Sequence, residues 1–202
     1  MSEAVFGLIG VLVGLIFTWA KDIWSGRIAR KGRARYLAMR VVCILDEYVH
    51  RCTEVAMDNG QRNKDGYLET QIARPFPPSY PSDVDWNSIN HKLMYRLLTL
   101  TNRAEAANRI VESASENAFP PDYDEVYEER HYQYAKLGLA AIGLAQEIRR
   151  KYGILDEELA GWNPVGYLEK VKAGVEELRR GRMASLNELM KSTETTAGHE
   201  VS

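Results

Sequence analysis

Residues Ala4 to Ala20, AVFGLIGVLVGLIFTWA, form a 17-residue run without a charged side chain. That is about the shortest apolar helix able to cross the hydrocarbon core of a bilayer. A secretory signal would carry positive charge before the run and a small-residue cleavage site after it. Here the order is reversed. MSE precedes the run, and Trp19, Lys21, Trp24, Arg27, Arg30, Lys31, Arg33 and Arg35 end or follow it. Lys and Arg resist translocation, so this pattern predicts a single transmembrane helix in the cell membrane, with its N-terminus outside and the remaining chain in the cytoplasm. The competing form is a helix lying in the membrane interface.

Within the run, Gly10 and Gly14 form GxxxG, a spacing that lets two transmembrane helices approach closely, and the expectation is a contact between two copies of the chain. The stretch 21–35 is a basic collar. Arg27, Arg30, Lys31, Arg33 and Arg35 are assigned to anionic lipid headgroups. A collar directly beneath an apolar helix is explained by topology and lipid, so nucleic acid is not expected as a partner. The whole chain carries a net charge of −2, and the collar holds six Lys/Arg against one Asp, which leaves the rest of the chain acidic.

Beyond the collar, apolar residues recur at three- and four-residue steps, the signature of helices with one buried face. Leu37, Val41, Ile44, Leu45, Tyr48, Cys52 and Val55 mark a first helix ending near Asp58-Asn59-Gly60. Trp86, Ile89, Leu93, Leu97, Leu100, Ala104, Ala107, Val111 and Ala114 mark a second, starting at Ser82 to Asp85. Tyr123, Val126, Tyr127, Tyr134, Leu137, Ala141, Leu144, Ala145, Ile148 and Tyr152 mark a third, stopped by Gly153. Asn163-Pro164 opens a fourth, with the stripe Leu168, Val171, Val175, Leu178, Leu186 and Leu189. The fold class is all-α: a single transmembrane helix continuing into a cytoplasmic four-helix bundle-like domain. The expected divisions are an anchor 1–20, the collar 21–35, a bundle domain 36–190 and a disordered polar tail 191–202. No run alternates as a strand.

Two stretches, FPPSY (Phe76–Tyr80) and FPPDY (Phe119–Tyr123), carry a Pro-Pro-x-Tyr motif that resembles the ligands of WW domains. Tyr123 lies on the third helix's apolar stripe, and Asp122 with Glu125 has the spacing of a capping box, so FPPDY is expected to be a helix start with a core tyrosine. FPPSY sits in the connection 59–85, which lacks periodicity and is long for a compact domain. Tyr67, Phe76, Pro77, Pro78 and Tyr80 are the candidate partner-binding residues of that loop.

Metal chemistry deserves one comparison. Glu47/His50 and Glu128/His131 are Glu-x-x-His pairs of the kind that hold two metals in ferritin-like bundles. At 100° per residue, Glu47 and His50 lie about 105° and about 165° from their helix's apolar axis, and Glu128 and His131 about 145° and about 85° from theirs. All four are therefore expected in solvent, and no metal or other cofactor is expected. Cys43 and Cys52 stand about 13 Å apart along one helix, too far for a disulfide. No phosphate loop, nucleophile elbow or zinc spacing occurs. The functional expectation is a membrane-anchored, non-enzymatic tether, scaffold or regulatory subunit with a protein partner. A membrane-perturbing effector and a helical enzyme with an unrecognised site are the alternatives.

Overall fold

One helix, α1, runs unbroken over Ser2–Met57, 56 residues. The computed structural model describes the backbone of residues 2–118, 123–155 and 163–199, and side chains over the same stretches except 2–16, 20 and 192–199. Ala34 is the first buried residue of α1, and from there Leu37, Val41, Leu45, Cys52 and Val55 face the interior at helical spacing. Before Ala34 the described side chains of α1 are all exposed, and Arg30 and Arg33 are the ones that reach the body. Phe17 is 73% exposed, and Trp19, Trp24 and Ile28 are similarly bare. Among the described residues no helix is long and apolar enough to cross a membrane; most of the run Ala4–Ala20 has its side chains outside that description.

The architecture is helical, as the periodicity predicts. α2 spans His91–Glu116, α3 Asp124–Tyr152 and α4 Pro164–His199. α3 is the central element and packs against α1, α2 and α4. The main core joins Leu45 and Cys52 of α1, Leu97 and Leu100 of α2, and Tyr134 and Ile148 of α3. Each fully buried Leu or Ile contributes about 1.5–3 kcal/mol. A smaller cluster of Ala56, Ala135 and Leu168 seats the start of α4. There α3 presents Gly138, and a Cβ at that position would stand 2.7 Å from Leu168 Cδ1.

Helix ends follow local chemistry. Asn90 caps α2, its side chain accepting from Lys92 N–H. Asn163 accepts from Gly166 N–H at 3.1 Å ahead of Pro164. Gly153 ends α3 in the left-handed conformation at φ 62°.

Several expectations are corrected. α2 begins at His91, later than Ser82 to Asp85, because Trp86–Ser88 form a separate 3-10 turn capped by Asp85. The connection 59–85 contains a short antiparallel hairpin, β1 (Gln61–Arg62) and β2 (Leu68–Glu69), which the absence of alternating patterning had not suggested. Tyr123 is the N-cap of α3, half-buried and at φ 51°, with no side-chain cap bond. The capping register is thus shifted from the expected box, and a left-handed non-glycine residue costs of order 1–3 kcal/mol. Phe119 to Asp122 lie outside the described residues. The stripe of α4 is covered only in its first half: Leu168 and Val175 are buried, whereas Leu178, Leu186 and Leu189 are exposed, the last two lying past Arg182, which pairs with Glu128 near the start of α3. The polar stretch from Lys191, expected as a disordered tail, carries helical backbone to His199.

Candidate functional site

The proposed lipid collar divides in two. Arg30 Nη2 donates to Asn87 O at 2.8 Å, Arg33 Nε to Asp85 Oδ2 at 3.1 Å, and Arg35 Nη2 to Gly153 O at 3.2 Å. These three arginines join α1 to the 3-10 turn and to the end of α3. Arg27 and Lys31 are exposed and have no ion-pair partner among the described residues. Gly10 and Gly14 lie on α1, with their side-chain surroundings outside the described residues.

The loop residues separate in the same way. Tyr67 is exposed and Phe76 is 92% exposed. Pro77 is half-buried and Pro78 buried. Tyr80 is half-buried, donates its hydroxyl to Leu97 O at 3.2 Å, and meets Trp86 edge-on with ring centroids 5.9 Å apart. Burial raises its pKa. Thr101 donates to Pro78 O at 3.0 Å and Trp86 to Pro81 O at 2.9 Å. The segment is thus tied to α2 by the Pro78 carbonyl and the Tyr80 hydroxyl and to the 3-10 turn by the Pro81 carbonyl, and Tyr80 lacks the freedom that a WW groove requires. Phe76 is the most exposed aromatic of the loop, with Tyr67 next.

Where α1 ends, an unforeseen polar cluster organises the loop. Asp58 and Arg130 form an ion pair at 3.1 Å, with side chains only 2% and 4% exposed. The Asp58 carboxylate also accepts from Gly60 N–H at 3.0 Å and from Gln71 and Ile72 N–H at 2.9 Å each. Arg130 donates in addition to Ile72 O, and His131 Nε2 donates to Asp58 O at 2.9 Å. Burial alone would raise the Asp58 pKa, but the Ile72 and Gly60 amides, the Arg130 charge and the Gln71 amide together hold it below the usual carboxylate range. Gly60, at φ 72°, packs so tightly that a Cβ there would stand 2.2 Å from Tyr127 Oη. The sequence offered only faint signals for this latch: Asp directly after an apolar stripe, and Arg130 on the buried side of α3.

The Glu-x-x-His residues have other employment. Glu47 pairs with Arg51 at 3.0 Å, and His50 with Glu54 at 3.4 Å. Glu128 does not lie in solvent as expected; its side chain is 14% exposed beneath α4, paired with Arg179 at 2.8 Å and with Arg182. His131 serves the Asp58 latch. Among the described residues no three metal-ligating side chains converge. Burial pushes the Cys52 thiol up to about 12, so it is a poor nucleophile. No family model matches the chain, and no curated protein or solved structure matches it.

Proposed function

We propose that the chain is a single-pass membrane tether whose helical body recruits or holds a protein partner at the cytoplasmic face. The observation that carries the reading is α1 itself: the helix that forms one wall of the core continues, with no intervening loop, past the exposed Trp24 into the apolar run, whose end bears the exposed Phe17 and Trp19. Exposed apolar side chains such as Phe17, Trp19 and Trp24 have a strong tendency to bury themselves, and a bilayer would supply that burial. Trp19 and Trp24 suit the headgroup zone, and Arg27 and Lys31 suit the anionic cytoplasmic leaflet. A role as tether or scaffold is supported further by polar side chains that are spent on structural pairs, as in the Asp58–Arg130 latch and the Glu128–Arg179 contact.

Flotation of native membranes, followed by alkaline extraction, tests the anchor. The chain should float and resist extraction, and deletion of residues 4–20 should release it. Labelling from outside the cell should reach a cysteine added before Ser2 but not Cys43, which is exposed on the body. Release of the intact chain by alkali alone would refute the spanning helix.

A further inference from the structure

α4 packs against α3 and α1, and nothing among the described residues covers the outer groove between α2 and α3. The two helices run antiparallel there, in a register fixed by Arg96–Glu147 near one end and by Tyr134 Oη donating to Asn108 Oδ1 at 2.7 Å near the other. Between these ties the small side chains of Ala106 and Ala107 leave about 160 Å³ of space above Leu137. Ile110, an exposed isoleucine, forms one wall.

The rim is cationic. Arg103 from α2 and Lys136 from α3 line the space, and neither has a carboxylate partner among the described residues. Lys136 Nζ stands 4.8 Å from the centre of the Tyr132 ring, which also meets the Arg179 guanidinium at 4.5 Å and donates its hydroxyl to Glu176 at 3.4 Å, a carboxylate paired with Lys172. Glu129, a nearby carboxylate on α3, is bound to Arg179 at 2.6 Å and to Gln133 at 2.6 Å. Glu105 lies about 160° around α2 from Arg103. The groove thus joins an apolar floor to two uncompensated positive charges, one on each wall.

Size and shape select the ligand. The space equals the liquid volume of about five waters, well below that of a small-molecule pocket, and suits one large side chain. Two parallel helical walls suit a third helix laid along them. We propose that this groove binds an acidic amphipathic helix of a protein partner, with an apolar side chain over Ala106 and Ala107 and carboxylates against Arg103 and Lys136. This deepens the tether reading only in making a protein the ligand.

The test uses the full chain in detergent micelles and a fluorescein-labelled helical peptide with a leucine stripe flanked by glutamates. Its twin carries lysines in place of the glutamates. The acidic peptide should raise the anisotropy and the lysine twin should not. Arg103→Glu with Lys136→Glu should weaken binding by about tenfold or more, since like charges then meet across the interface. Ala106→Leu, which fills the space, should weaken it comparably, while Arg180→Glu on α4 should leave it unchanged. Helical circular dichroism establishes that each variant is folded. Equal binding of both peptides, no binding of the acidic one, or undiminished binding by the Arg103/Lys136 variant would overturn the assignment. So would full displacement by benzoate at equal concentration, the result expected of a small-carboxylate site. A chain that fails flotation but binds the acidic peptide would sink the anchor and spare the groove; the converse result would do the opposite.

Discussion

Replacing Asp58 by Asn removes one charge and almost no volume, so its effect isolates the latch at the end of α1. In the native chain the carboxylate accepts from three backbone amides and from a guanidinium, all within 3.1 Å. The amide that replaces it retains one oxygen for those donors and turns an NH2 group toward the rest. Arg130 is then a buried cation without its counter-ion. Breaking a buried pair from one side costs about 3–5 kcal/mol, a large part of the stability of an ordinary domain. Urea unfolding of the full chain in mild detergent, followed by helical circular dichroism, measures it. Hydrogen exchange should show the Gln71 and Ile72 amides losing protection first. Asp58→Asn combined with Arg130→Met should recover part of the loss, because the stranded charge is gone. The pH dependence has a definite sign. The Asp58 pKa is depressed in the folded state, so its stabilisation is fully present above the ordinary carboxylate pKa and is lost as pH falls through the lower folded value. The variant should lose that acid-side dependence. A cost below about 1 kcal/mol, the worth of a single ordinary hydrogen bond, or an unaltered acid limb would refute the reasoning.

Other substitutions probe the remaining joints. Gly60→Ala must adopt φ 72° and place a Cβ against Tyr127, so urea unfolding should show a loss of about 1–3 kcal/mol from the backbone alone. Leu168→Ala should cost about 2–5 kcal/mol and expose the amides of α4 to hydrogen exchange while those of α2 stay protected. Tyr80→Ala should cost about 3 kcal/mol or more, since it removes a packed ring and its bond to Leu97 O. Phe76→Ala should change stability by less than about 0.5 kcal/mol by the same assay.

Local signals made the helices legible. The apolar stripes, Asn163-Pro164 and Gly153 each act within a few residues of themselves, so one chain suffices to read them. The latch was illegible because Asp58 and Arg130 are 72 positions apart, and nothing local marks them as partners. Glu128 was misplaced for a different reason. Its angle was measured from one apolar axis, but α3 packs on three neighbours, so its covered arc is far wider than a single stripe. The fourth helix failed in the opposite direction. Leu186 and Leu189 continue the pattern of Leu168 and Val175, yet periodicity carries no information about where the neighbouring helix stops. Candidate site residues fared by the same logic: Tyr80 satisfies the motif in sequence, and only tertiary contacts reveal that its ring and hydroxyl are already committed.

The continuity of α1 has a mechanical consequence. Met57 lies about 55 Å along the helix axis from Ala20. No loop interrupts that distance, and the arginine ties to Asn87, Asp85 and Gly153 brace the body against the shaft. The N-terminal segment and the body therefore behave as a lever. A tilt of about 10° at Ala20 sweeps the Asp58 end sideways by about 10 Å, the diameter of a helix. In the proposed tether, a change in bilayer thickness or in a neighbour of the N-terminal segment would thus move the face between α2 and α3 through space while leaving the contacts inside the body intact.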